Sequence, residues 1–326
     1  ASVEAAFHLS AQEVFSGVTV GLALSARGYT RADVMLRDAE SALQKARGGS
    51  IAEVTVNTEV IEGNANRLLL ESDLVGAIEN KEFLVHYQPL FDGATRQITG
   101  FEALVRWNHP RDGMIPPGRF IGVAEEMGLI VQIGEIVLRR ACQQLIRWTE
   151  RAAGTADLTM AVNLSAVQLR DDDLVALVAG VLEETGLSPQ RLKLEVTETA
   201  LIDRPGQAGR VLSMLKDLGV QLALDDFGTG YSSLSYLSSY PFDFLKIDRS
   251  FVSGPRGLDA WARARRVVEG VIQLGHTLDL QVIAEGVEEE SQAVILSDLG
   301  CDMLQGYHLA RPVGPKAIRA LLEARG

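Results

Sequence analysis

From Phe83 onward the chain repeats one unit: a short apolar run of strand length, then a longer stretch whose apolar residues recur every three or four positions. The first two runs, Phe83 to Phe91 and Ile98 to Trp107, are separated only by Asp92-Gly93-Ala94-Thr95-Arg96. A short Asp-Gly loop between strand patterns predicts an antiparallel hairpin. Six more strands are expected at Leu158 to Leu164, Arg191 to Val196, Val220 to Asp225, Phe242 to Ile247, Leu280 to Glu285 and Met303 to His308. Helical periodicity occupies Ala166 to Thr185, Pro205 to Leu218, Asp259 to Thr277 and Glu288 to Leu299. Gly186, Gly219 and Gly300 sit just past three of these helices, where left-handed caps are favoured. Eight strands alternating with helices predict an α/β fold, a TIM-like (β/α)8 barrel whose first strand runs against the rest. A doubly wound open sheet shares the alternation, but no Gly-x-Gly-x-x-Gly follows an early strand.

The first 60 residues differ. Val18 to Leu24 reads as a strand, and Thr30 and Asp33 have capping-box spacing ahead of a helix carrying Val34, Leu36, Ala39, Leu43 and Ala46. Ile51 to Asn57 reads as one more short strand. So few elements cannot enclose a core, so residues 1–60 are expected to be a small α+β fragment of a larger domain. Residues 61–80, with Leu68-Leu-Leu70, Leu74 and Ile78, are expected to form a helical linker, and residues 81–326 the barrel.

Composition narrows the function classes. Lys and Arg total 31 against 43 Asp and Glu in 326 residues, a net charge of −12. This excludes a broad cationic surface of the kind that grips a nucleic-acid polymer. Two cysteines, Cys142 and Cys301, cannot supply a disulfide framework or a four-cysteine zinc site, and point to a reducing cytoplasm. No apolar run reaches the roughly 18 residues of a membrane span, and no basic-then-apolar leader opens the chain. The chain starts without Met, inside what reads as a domain, so an anchor in a preceding region remains compatible with it.

The chemistry is expected where a parallel barrel collects it, at the C-terminal ends of the strands. In order, the predicted ends carry Glu102, Asn163, Glu195, Asp225 with Asp226, Lys246, Glu285 and Gln305. One polar residue at a strand end is ordinarily a loop partner or a helix cap; seven successive rims are not explained that way. Glu195, Asp225 and Glu285 each end an apolar run, and a carboxylate facing a barrel interior is costly without a compensating cation. At about 4 Å and an effective dielectric near 20, each like-charged pair costs on the order of 4 kcal/mol. With carboxylates, one amide and no His or Cys, the set favours Mg²⁺ or Mn²⁺, and two such ions suit in-line hydrolysis of a phosphodiester. Adjacent Asp225 and Asp226 reach one site only if the strand ends there and turns through Phe227-Gly228-Thr229-Gly230. Lys246 either positions the attacking water or pairs with Asp225 or Asp248.

Glu102-Ala103-Leu104-Val105-Arg106-Trp107 resembles the signature of the EAL-domain phosphodiesterases of bacterial cyclic di-GMP signalling. The likeness continues, in family order, through Gln88-Pro89-Leu90, Asn163-Leu164-Ser165, Leu194-Glu195-Val196-Thr197-Glu198, Asp225 to Leu234, Leu245-Lys246-Ile247-Asp248, Ala284-Glu285-Gly286-Val287-Glu288 and Gln305-Gly306-Tyr307. The resemblance implies hydrolysis of cyclic di-GMP to the linear dinucleotide by a barrel that needs Mg²⁺ or Mn²⁺. Glu102, Asn163, Glu195 and Asp225 look like ligands of a first ion, and Asp225, Asp226 and Glu285 like those of a second. Lys246 would hold the water, with Glu285 as ligand or general base. Gln88, Leu104 and Arg106 resemble substrate contacts, Arg106 being the phosphate ligand. Gln305 resembles the glutamine that orders the metal-water network, Glu198 the anchor of the Asp226 to Leu234 loop, and Glu288 a supporting residue. A homodimer is also implied.

Residues 1–60 resemble the C-terminal part of a GGDEF cyclase domain, without the Gly-Gly-Asp-Glu-Phe signature. At His308-Leu309 the chain departs from the family, which often has an apolar residue and Phe there; His308 reads as a rim residue, with a substrate contact as the alternative. The competing readings are a non-catalytic cyclic di-GMP receptor and an unrelated metal-dependent barrel lyase, and the latter does not explain Asn163 or the Lys246-to-Glu285 set.

Overall fold

The computed structural model describes residues 7–9, 12–14, 35, 36, 39, 58–150, 155–202, 205–228, 237, 239–252 and 258–323. Two compact units divide at Asp73, residues 1–73 and 74–326. In the first, β1 (Phe7–Leu9) and β2 (Gln12–Val14) form a small antiparallel pair that the sequence pattern does not announce. The predicted strands Val18 to Leu24 and Ile51 to Asn57, and the Thr30–Asp33 cap, lie outside the described residues, while 35, 36 and 39 are helical as expected. Most of residues 61–80 form a helix as expected, α1 (Thr58–Glu79).

The second unit is the barrel. Its strands are β3 (Phe83–Asp92), β4 (Ile98–His109), β6 (Thr159–Leu164), β7 (Leu192–Thr197), β8 (Gln221–Phe227), β9 (Phe244–Ile247), β10 (Gln281–Ala284) and β11 (Met303–Leu304). They are hydrogen-bonded in the order β3-β11-β10-β9-β8-β7-β6-β4, and β3 also pairs with β4, which closes the ring. β3 is antiparallel to both neighbours and every other ring contact is parallel, so the reversed first strand is observed. A short β5 (Gly113–Ile115) folds back on the end of β4 and was not expected.

Around the ring lie α2 (Pro117–Glu126), α3 (Ile130–Thr149), α4 (Leu174–Thr185), α5 (Glu198–Ile202), α6 (Pro205–Asp217), α7 (Arg249–Val252), α8 (Leu258–Thr277), α9 (Glu290–Asp298) and α10 (Pro315–Glu323). Gly186, Gly219 and Gly300 have φ of 67°, 90° and 80°, the left-handed geometry expected of them. The single helix predicted over Ala166 to Thr185 is instead a short 3-10 turn at Gln168–Arg170 followed by α4. Asp171 breaks the run with an extended backbone, and its carboxylate accepts the Asp173 N–H. The last strand stops at Leu304 rather than His308, because Gln305 to His308 leave the sheet and hydrogen-bond to the Val287 backbone.

The period-two alternation of strands sorts the two faces of the ring. Phe83, Tyr87, Phe101 and Trp107 face outward, where they stack with Phe120 of α2 and Trp148 of α3. Ile247, Val282, Ala284 and Leu304 face outward into the layer of α8 and α9. The inner floor is a small apolar cluster of Leu90, Ala223, Phe244 and Ile283, with Met303 against it. Above that floor, the inward positions become polar.

Candidate active site

The hairpin register places Gln88 opposite Glu102, and the parallel registers place Asn163 opposite Glu195 and Thr197 opposite Asp225. One layer of the barrel interior is therefore built from alternate residues of successive strands. Gln88, Glu102, Glu195, Asp225, Lys246 and Gln305 are all buried there, Lys246 and Glu195 to 1% exposure each. Asn163 opens to the mouth.

Lys246 is the hub. Its Nζ donates to Glu195 Oε2 at 2.6 Å and Asp225 Oδ2 at 3.0 Å, and is 2.6 Å from Glu285 Oε1. The ion pair with Asp225 is thus present, the alternative pair with Asp248 is not what the geometry shows, and two further carboxylates join. A second chain of contacts closes the other side of the mouth. Asn163 Nδ2 donates to Glu102 Oε1 at 2.7 Å, and Gln305 Nε2 to Glu102 Oε2 at 2.6 Å and Gln88 Oε1 at 3.2 Å. Gln88 Nε2 in turn donates to the Ala310 carbonyl at 3.0 Å.

Asp225 and Asp226 require a correction. The strand does not end at Asp225; β8 continues to Phe227. Between Leu224 and Phe227 the pairing with β9 slips, three steps on β8 matching two from Leu245 to Ile247. This bulge sets Asp226 at φ 55° in the left-handed region, its N–H donating to Asp225 Oδ1 at 2.8 Å. A bulge re-aims one side chain of an adjacent pair, so both carboxylates serve the mouth without a chain turn. Thr229 to Tyr236, and with them most of the loop that Glu198 is expected to anchor, lie outside the described residues. Glu198 itself is buried at the start of α5.

Electrostatics follows from this packing. Five carboxylates, those of Glu102, Glu195, Asp225, Asp226 and Glu285, share the mouth and the space beneath it with two ammonium groups. Burial, and then the neighbouring carboxylates, push the Glu195 and Glu285 carboxyls above the usual carboxylate range, although Lys246 works against this. Asp226 is raised by burial and by Asp225. Burial alone would lower Lys246, but Asp225, Glu195 and Glu285 outweigh it and hold its pKa well above the ordinary lysine value. The carboxyls rise mainly because they are buried, Lys246 rises because its three carboxylate partners outweigh burial, and Lys193 falls to about 8 because burial prevails there.

The excess of carboxylates over ammonium groups, an all-oxygen donor set without His or Cys, and the buried Glu195 Oε1 that has no hydrogen-bond partner fit a hard divalent cation. Asn163 joins the set once its amide turns to present oxygen, an orientation set by its partners. Among the described residues, no three His, Cys, Asp or Glu side chains already converge into a metal cage. Lys246 lies among three of the carboxylates instead.

The second ammonium is Lys193, which the strand pattern Leu192-Lys-Leu194 hides as an interruption of an apolar run. It is 1% exposed, two residues before Glu195 on the same face of β7, with its Nζ 3.4 Å from the Phe244 ring centre. The spacing Lys193-x-Glu195 was the available signal. Arg106 donates from Nη1 to the neighbouring Val105 carbonyl at 2.8 Å, and Leu104 is half-buried beside it. Tyr307 is 54% exposed at the same rim, under the Arg311 guanidinium at 4.7 Å. Glu288 is exposed, and the helix N-cap beside it is Glu289, paired reciprocally with Gln292. His308 is a rim residue, 2.7 Å from Glu290.

Comparison with known proteins agrees with this architecture. Residues 71–312 match the EAL domain. An uncharacterized signaling protein of Caulobacter vibrioides is 44% identical over 94% of this chain and 37% of its own length. MucR of Pseudomonas aeruginosa, named a bifunctional diguanylate cyclase/cyclic di-GMP phosphodiesterase, is 39% identical over 96% of this chain and 45% of its own length. The chain therefore spans less than half the length of these relatives. The solved MucR phosphodiesterase in complex with cyclic di-GMP superposes with a TM-score of 0.72 at 43% identity, covering 77% of this chain and 99% of that one. The chain belongs to the EAL domain family.

Proposed function

We propose that this chain hydrolyses cyclic di-GMP to linear 5′-phosphoguanylyl-guanosine. The observation that carries the reading is one buried lysine, Lys246, gripped by the carboxylates of Glu195, Asp225 and Glu285, with Glu102 buried in the same layer, at the mouth of an EAL barrel. Glu102, Asn163, Glu195 and Asp225 would hold one ion and Asp225, Asp226 and Glu285 a second, as Mg²⁺ or Mn²⁺. When bound, these ions would neutralise the scissile phosphate and acidify water.

The chain's own groups do the rest. Lys246 Nζ, whose three N–H groups are taken up by three carboxylates in the structure, would release one of them to donate to the oxygen of the attacking water and hold it in line with the leaving group. Glu285 would act as a ligand or as the general base, the two roles that the resemblance leaves open. Gln305 and Asn163 hold the Glu102 carboxylate from both sides. Arg106 offers its guanidinium fork to the non-bridging phosphate oxygens, and Gln88 and Leu104 line the wall beneath it. Residues 1–60 are read as the remnant of a GGDEF domain without cyclase chemistry, ahead of a linker over 61–80 and the barrel over 81–326. The homodimer and the cytoplasmic location rest on the resemblance and the sequence.

The test is incubation of the purified chain with cyclic di-GMP and Mg²⁺, with chromatography of the product. Linear dinucleotide that disappears on chelation is expected. Tight binding without turnover would replace this reading with a non-catalytic receptor.

A further inference from the structure

Lys193 lies outside every step of the proposed hydrolysis, yet it is buried in the same barrel interior, at 1% exposure. Side chains alternate along β7, so Lys193, Glu195 and Thr197 share the inward face. Two residues of strand set Lys193 roughly 6.6 Å from Glu195, one layer toward the floor. Phe244 stands in the same relation to Lys246 on β9, and its ring carries the Lys193 Nζ at 3.4 Å. The ammonium therefore sits at the boundary between the apolar floor and the carboxylate layer.

A buried ammonium needs compensation. The Phe244 ring supplies only part of it. Of the carboxylates that act on Lys193, Glu195 is the strongest, followed by Asp243 and Glu102. Asp243 is already gripped by Lys216 Nζ, at 2.5 and 2.6 Å. The charge of Lys193 is thus balanced chiefly by the layer that would hold the ions. Packing alone does not ask for that charge: the floor is Leu90, Ala223, Phe244 and Ile283, against which a neutral chain of the same length would be cheaper to bury.

Fully ionised, the five carboxylates and two ammonium groups leave the interior at a formal charge of −3; two divalent ions would carry it to +1, whereas without Lys193 the same ions would end at neutrality. The last ion to enter therefore works against a fixed buried cation, which cannot swing into water as a surface lysine does. We propose that Lys193 sets the divalent-cation affinity of the mouth, its buried charge keeping the second ion loosely held and exchangeable. The inference rests on the metal-dependent reading of the site and names the group that limits its affinity.

Calorimetry with Mn²⁺ alone, on the full chain stripped with EDTA and dialysed into neutral buffer, tests it without turnover. Lys193→Met keeps the length and the apolar stem but removes the charge. It should tighten the weakest Mn²⁺ binding step about tenfold, while Lys193→Arg, which keeps the charge, should stay within about twofold of wild type. The sign discriminates, since a packing defect loosens a metal site and loss of a repelling charge tightens it. Lys193→Leu and Lys193→Gln repeat the measurement, so that it does not depend on one variant folding. Unchanged or weaker binding in the neutral variants overturns the proposal and leaves the phosphodiesterase reading standing. Wild-type protein that takes up no Mn²⁺ removes the metal-dependent reading along with it.

Discussion

Gln305 Nε2 and Glu102 Oε2 lie 2.6 Å apart across the reversed strand β3, so the last and second strands of the ring are tied above the strand that separates them. The same amide reaches Gln88 on β3 itself. Gln305→Ala should release Glu102 without disturbing the sheet. A hydrogen bond to a charged group is worth about 1.5–3 kcal/mol, so kcat should fall roughly ten- to a hundredfold with an unchanged circular dichroism spectrum. Gln305→Glu, which sets a like charge beside Glu102, should be worse than alanine.

Lys246→Met separates two jobs of one residue. Turnover should be lost, because among the described residues no other ammonium is paired with Glu195, Asp225 and Glu285 together. In EDTA the variant should also lose about 3–5 kcal/mol of stability in urea denaturation, the cost of stripping a buried cation from its carboxylates. Mg²⁺ should restore much of that stability but none of the turnover. An EDTA stability equal to wild type would mean that the carboxylates do not depend on this ammonium.

Glu102→Ala or Asp225→Asn should abolish metal-dependent turnover while the barrel persists, read by product chromatography and thermal melting. A near-normal rate in either would mean that the ligand set is misplaced.

Gly306 follows Gln305 where the chain passes over Val287, and a Cβ there would be 2.1 Å from the Val287 carbonyl oxygen. Gly306→Ala should destabilise by about 1–3 kcal/mol or more and shift Gln305, lowering activity as well. Gly180, exposed within α4 with nothing near its Cβ position, is the control. Gly180→Ala should stabilise by about 0.5–1 kcal/mol, because alanine loses less backbone entropy in a helix.

Much of this architecture was legible because strand periodicity and rim position are local signals. Glu195, Asp225 and Lys246 could be placed at one mouth from their strand ends, whereas Glu102 and Gln305, inside their predicted strands, stood out by the family signature. What escaped depends on pairing between distant segments. The Asp226 bulge exists only as a mismatch between β8 and β9, and no property of Asp-Asp-Phe-Gly announces which side absorbs the extra residue. Lys193 looked like a break in an apolar run because its counter-charges are brought to it by folding. The break at Asp171 was visible only as polar residues inside a helical period, a pattern that a surface helix shares.

The reversal of β3 changes where the chain enters. In an all-parallel barrel the segment ahead of the first strand arrives at the closed bottom; here β3 starts beside the end of β4, with the Glu82 carbonyl accepting the Asn108 N–H and Glu82 Oε2 accepting the Trp107 indole N–H. The doorstep of the barrel is on the same side as its mouth. A push or twist delivered along the polypeptide just before Phe83 would meet the rim of the candidate site before the apolar floor of the barrel.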